Sequence, residues 1–162
     1  QIFIKKKWFC YWILIFFCAY YNSLNLLFFS HFLENKIQIE IRYSETDQMS
    51  FVYHGNYVKF FEMGRIAWLK KIGVSYRKME ENGIINPVID LKINFRKSAK
   101  FDDIINLTTT LKRTPSYMIE FDYLIHRDEE LLTTGYTKLI FLDAKNNKPI
   151  RCPDFILKKI NF

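Results

Sequence analysis

The chain has 162 residues, 49% of them hydrophobic and 25% charged, which is one domain with enough apolar surface for a real core. Its formal net charge of +7 suits an anionic ligand, but no RNA-binding motif and no basic stripe interleaved with aromatics accompanies it, so no nucleic-acid partner is expected. The three cysteines, Cys10, Cys18 and Cys152, form no CxxC pair; an odd count in so long a chain excludes a disulfide framework and points to a reducing, cytoplasmic compartment.

Residues 1–35 differ in kind from the rest of the chain. Lys5-Lys6-Lys7 precede Trp8 to Tyr21, fourteen residues that are all apolar or aromatic. Asn22, Ser23 and Asn25 interrupt before Leu26 to Phe29 resume the pattern. Three readings stand side by side. The stretch is a signal peptide, although no clean small-residue cleavage site comes after it. It is a membrane anchor, long enough only if the Asn-Ser break is bridged. Or it is a non-native extension, since the first residue is Gln1, the first Met is Met49, and the composition is low in complexity. Membrane association is expected only if the extension is native. The folded domain is expected over 36–162.

Ile37 to Tyr43 alternates with apolar odd positions, the period of a half-buried strand. The next stretch, Tyr43 to Tyr57, reads YSETDQMSFVYHGNY. It sets Asp47, Tyr53 and His54 between that strand and a helix start at Gly55-Asn56. Helix starts carry free N–H groups and partial positive charge, which favour a developing anion. A base beside such an anion site is what acyl transfer requires. The plainer alternative is that Asp47 only caps a turn.

The helix is expected from Gly55 to Gly73. Tyr57, Phe60, Phe61, Gly64, Trp68 and Ile72 follow helical spacing, and Val58, Ile66 and Leu69 fall outside that stripe. A helix apolar nearly all round is expected to be buried by its neighbours. Gly64 is read either as room for a strand to come close or as a simple weak point. Glu62, among apolar neighbours, is expected to pair with Arg65; a structural and a catalytic role are both open.

Ser75 to Gly83 reads as a second, short helix capped by Ser75. Alternation then predicts strands over Ile84–Arg96, Ile104–Arg113, Tyr117–His126 and Leu131–Leu142, the last two joined by a turn at Arg127 to Glu130. Asp154 to Ile160 is expected to form a closing helix. One long helix followed by long antiparallel strands is an α+β layout.

Tyr43, Asp47, Val52-Tyr53-His54, Asn56, Tyr57, Phe61-Glu62 and Arg65 resemble the hydroxybenzoyl-CoA thioesterase family of hot-dog proteins, in particular its bacterial short acyl-CoA thioesterase branch. The resemblance runs from about Lys36 to Leu157. It departs from the family at Ser50, where Gly is usual, and at Glu45, where Asp is common. The resemblance implies a hot-dog fold, in which a sheet wraps a central helix. It also implies homodimers joined through their sheets, often paired into homotetramers, and an acyl-CoA substrate. It assigns the general base or nucleophile to Asp47. His54 would orient water or substrate, Tyr43 would support the site, and the backbone N–H groups of Tyr53, His54 and Gly55 would form the oxyanion hole. Arg96, Lys97 and Lys100 are candidate contacts for CoA phosphates, with ordinary solvated charge as the alternative.

No Gly-rich phosphate loop implies a cofactor, and Asp47 with His54 gives too few ligands for a metal. Nothing near Cys152 would activate its thiol. His31 and His126 stand without a constellation. Two other functions remain: a hot-dog hydratase or dehydratase on acyl thioesters, and a non-catalytic acyl-CoA-binding module.

Overall fold

The computed structural model describes residues 34–160, so the readings of the apolar N-terminal stretch lie outside the described residues. Among these, the order is β1 (Glu34–Glu40), a 3-10 turn (Tyr43–Glu45), α1 (Asn56–Lys71), α2 (Tyr76–Glu81) and β2 (Ile84–Ile85). Then come β3 (Val88–Phe95), β4 (Ile104–Leu111), β5 (Met118–Arg127), β6 (Glu130–Ile140), β7 (Leu142–Asp143) and α3 (Asp154–Ile160). Five strands form one antiparallel sheet in the order β1-β4-β5-β6-β3, and β2 pairs with β7.

Register places the core. Across the sheet, Ile39 faces Ile105, Leu107 faces Ile125, Tyr123 faces Gly135 and Gly135 faces Ile93. That row is the inner face, because side chains two residues apart share a side. α1 lies on it: Trp68 meets Phe121 edge-on at 5.1 Å, and Phe61 stacks on Tyr123 at 4.3 Å.

Two glycines permit this close approach. A Cβ on Gly64 would stand 2.3 Å from Thr109 Oγ1, so the missing side chain lets α1 settle onto β4. On the sheet side, a Cβ on Gly135 would stand 2.2 Å from the Phe61 ring. Of the two readings of Gly64, the geometry gives close approach.

The structure corrects three expectations. First, the strand expected to reach Tyr43 stops at Glu40, and Tyr43 to Glu45 curls into the 3-10 turn because the Glu45 carboxylate takes the Arg42 N–H at 2.9 Å. Second, Ile84 to Arg96 is two strands, broken at Asn86-Pro87, where proline has no N–H to give a ladder. Third, α1 is not buried all round: Val58, Met63 and Ile66 are exposed on its outer side, and so is Glu62, which needs no buried partner. Arg65 instead donates to the Tyr123 hydroxyl at 3.4 Å. The second helix keeps its expected cap, with Ser75 Oγ accepting from the Lys78 N–H at 3.3 Å.

Candidate active site

Asp47 sits in a tight reversal of the chain. Its N–H donates to the Phe51 carbonyl at 2.8 Å, and its carbonyl accepts from the Ser50 N–H at 2.9 Å. Its Oδ1 accepts from the Met49 N–H at 2.8 Å, with the Phe51 N–H further off at 3.5 Å. The capping reading of Asp47 therefore describes one oxygen correctly. Among the described residues nothing donates to Oδ2. One carboxylate oxygen thus holds the turn, and the other keeps its lone pairs unspent among the described residues. The residue is half-buried, so that oxygen is partly shielded from bulk water.

The reversal is pinned to its surroundings by backbone bonds. The Val52 N–H reaches the Ala99 carbonyl at 2.9 Å, which docks the turn on the loop after β3. Asn56, buried at the first position of α1, sends its side-chain amide to the Glu45 carbonyl at 2.8 Å. Tyr57 is buried next to it, its hydroxyl accepting from the Ala99 N–H at 3.5 Å and its ring against Phe95 at 5.1 Å. Burial pushes the Tyr57 phenol above its ordinary range, so it remains a neutral structural group. Asn56 and Tyr57 thus hold the Asp47 turn against the start of α1.

The expected donor set needs one correction. The Tyr53 N–H is committed to the Glu45 carbonyl at 2.9 Å and is not free for an oxyanion. The N–H groups of His54 and Gly55 have no acceptor among the described residues. They are the unspent donors at the mouth of α1, where helix geometry leaves such groups without internal partners. The His54 ring is exposed and lies against the Tyr53 ring at 4.3 Å; no hydrogen bond joins it to Asp47 among the described residues. Tyr43 is 78% exposed, with its ring edge-on to Phe101 at 5.7 Å, and it reaches the turn through its carbonyl, which accepts from Thr46.

The three basic candidates differ. Lys97 is paired with Glu130, which Arg127 also holds at 2.6 Å. Arg96 is exposed, and the Lys100 ammonium lies 5.9 Å over the Phe51 ring, close to the Asp47 turn. Asn56, with its amide on Glu45, is the site residue to which sequence reasoning gave no role. Its signal was available as a polar side chain at the first position of an apolar helix.

Ser50 takes φ +63° within the turn. Among the described residues, the other non-glycine residues in that region are Asp102, Asp128 and Asn147, types that tolerate it. Serine does so less readily, at a cost of ~1 kcal/mol. Ser50→Gly is therefore expected to raise the denaturation midpoint by up to about 1 kcal/mol in stability, at unchanged m. A lowered midpoint would show that the serine side chain stabilises the turn.

The thioesterase-like superfamily matches residues 41–160 of the chain. YneP of Bacillus subtilis, provisionally named an acyl-CoA thioesterase, is 34% identical over 72% of this chain and 86% of its own length. The acyl-CoA thioesterase YbgC of Haemophilus influenzae is 27% identical over 75% of this chain and 91% of its own. Among solved structures, the DHNA-CoA thioesterase of Staphylococcus aureus superposes with a TM-score of 0.70 at 39% identity, covering 73% of this chain and 80% of that one.

Proposed function

The chain belongs to the thioesterase-like superfamily, with its hot-dog fold, and from that premise we propose that it hydrolyses an acyl-CoA thioester to the free acid and CoA. Asp47 carries the reaction. The observation that supports this most is its divided carboxylate: Oδ1 holds the turn, and Oδ2 faces no donor among the described residues. Attack on the thioester carbonyl follows one of two routes. As general base, Oδ2 takes a proton from water while the water oxygen bonds to the carbonyl carbon; the tetrahedral intermediate then collapses, the C–S bond breaks, and the CoA sulfur leaves with a proton as the thiol. As nucleophile, Oδ2 itself bonds to that carbon and expels the CoA thiolate, leaving an anhydride for water to cleave. Either route drives negative charge onto the carbonyl oxygen. The N–H groups of His54 and Gly55 suit that charge, helped by the positive end of α1. The exposed His54 imidazole orients water or substrate, and Tyr43 supports the turn through its carbonyl. Arg96 and Lys100 are suited to the CoA phosphates, with Lys97 held back by its pairing to Glu130.

Thiol release from a panel of acyl-CoA esters tests this reading. Turnover of thioesters without hydration of an enoyl-CoA is the expected result. Hydration without thiol release would make the chain a hydratase, and binding without either would make it a carrier.

The active form is a homodimer joined along β3. That strand closes one side of the sheet, pairing only with β6 among the described residues, and it exposes Val88, Ile89, Leu91 and Phe95. An open, apolar strand edge invites pairing or aggregation unless covered. The exposed Met63 and Ile66 of α1 give a second copy further apolar surface. Light scattering at micromolar concentration is expected to give twice the chain mass or a multiple of it. A fully active monomer would contradict the shared interface.

A further inference from the structure

The connection from β3 to β4 has two strands to cross, because the sheet order is β1-β4-β5-β6-β3. Residues 96–103 make that crossing at the end of the sheet where Arg127 and Glu130 join β5 to β6. The Arg96 and Lys97 N–H groups both donate to the Leu132 carbonyl, at 2.9 and 3.0 Å, and the Lys97 side chain pairs with Glu130. At the far end, Asp103 Oδ2 accepts from the Lys100 N–H at 2.8 Å and from the Arg127 guanidinium at 2.7 Å. The other arm of that guanidinium holds Glu130 at 2.6 Å. One planar group thus ties both ends of the crossing to the hairpin, in a two-armed geometry that lysine lacks. Arg127 and Asp103 expose only 30% and 20% of their side chains, so solvent screens this pair less than an ordinary surface pair.

The Asp47 turn hangs from this crossing at both ends. Before the turn, the Ile41 N–H donates to the Asp103 carbonyl at 2.9 Å, and the Ile41 carbonyl accepts from the Asp102 N–H at 3.0 Å. After it, the Val52 N–H donates to the Ala99 carbonyl at 2.9 Å. Residues 41–52 therefore take their place from residues 99–103. We propose that Arg127 is a positioning residue for Asp47, acting through Asp103 and the crossing that Asp103 anchors. The proposal rests on the thioesterase reading, with Asp47 as its base or nucleophile.

Removing the guanidinium acts unequally on its two partners. Glu130 keeps Lys97, whereas Asp103 keeps only the Lys100 N–H and faces Glu130 as a like charge. Asp103 is the partner that moves toward water. Its own carbonyl receives the Ile41 N–H, so the start of the Asp47 segment moves with it. Asn56 and the Tyr53 N–H still hold Glu45 from the α1 side, so the turn tilts and does not unfold. A misplacement of about 1 Å at a reacting group lowers a rate by up to ~10²-fold. An ion pair that served stability alone would lower the amount of folded protein and leave each folded molecule fully active.

The test places Arg127→Gln in the parent chain and in Asp47→Asn. It reads kcat at saturating concentration of the acyl-CoA ester that the parent turns over fastest, so altered binding does not enter. In the parent, kcat is expected to fall about tenfold. In Asp47→Asn, the residual kcat is expected to change by less than about twofold, because the place of a side chain that no longer reacts is immaterial. Lost folded protein would lower both rates by one factor. Equal losses in the two backgrounds would therefore overturn the proposal, as would an unchanged kcat in the parent; in either case the thioesterase reading stands. Arg127→Lys keeps a cation beside Asp103 but gives up the second arm, and it replaces Arg127→Gln if that variant does not fold. Its loss is expected to be smaller and again confined to the chain that has Asp47; equal losses would overturn the proposal here too. A parent that releases no thiol from any ester would overturn both readings.

Discussion

Asp47→Asn is expected to lower the turnover of acyl-CoA by ~10²-fold or more while leaving the fold intact. The two halves of this expectation come from the two carboxylate oxygens. Asparagine retains an Oδ1 that accepts the Met49 N–H, the 2.8 Å bond that shapes the turn. Stability should therefore change by no more than about 0.5 kcal/mol, the usual range for a substitution that keeps its contacts. The other oxygen becomes an NH2 group. It neither takes a proton from water nor attacks a carbonyl, so both routes are lost together. If the effect lay in KM alone with kcat preserved, Asp47 would be a binding residue.

Gly135→Ala is expected to cost about 3 kcal/mol of stability, the upper part of the range for forcing a methyl into a packed core. The added Cβ would lie 2.2 Å and 2.4 Å from two carbons of the Phe61 ring, well inside contact distance. Phe61 has no exposed surface and lies nearly parallel to Tyr123, so the ring has nowhere to turn. Tyr123 is itself fixed by a 2.8 Å hydrogen bond to Thr137 and by Arg65. Alanine would otherwise gain up to about 1 kcal/mol over glycine by stiffening the unfolded chain. That gain is smaller than the clash. Denaturant melts decide between them: a midpoint near that of the parent would mean that Phe61 moves aside at little cost.

Most of the sheet was legible because period-two alternation survives wherever one face is buried; β4, β5, β6 and the closing helix fall close to where the pattern puts them. The failures have local causes. Pro87 interrupts an alternation that runs on through it, and an Asn-Pro pair inside a strand pattern was the available warning. Tyr43 continues the alternation in sequence but not in space, because the Glu45 side chain offers the backbone a competing bond. For α1, composition shows that many sides are apolar but not which side another chain would cover; Val58, Met63 and Ile66 are exposed as a result.

At the site, the placing of Asp47 before a helix start was legible from spacing, and the family likeness flagged Ser50 as a backbone position worth checking. The commitment of the Tyr53 N–H to Glu45 was not legible, since main-chain bonds between loops leave no residue signature. Nor was the unpaired Asn86 oxygen, which exists only once the second half of α1, α2, β5, β6 and α3 close around it.

The Asp47 turn as the hydrolytic centre is tested most directly by a crystal structure of Asp47→Asn with an unhydrolysed acyl-CoA. The thioester oxygen is expected within about 3 Å of the His54 and Gly55 N–H groups, with the carbonyl carbon against the side chain at position 47. A thioester bound away from this turn, with its carbonyl on other donors, would contradict the account.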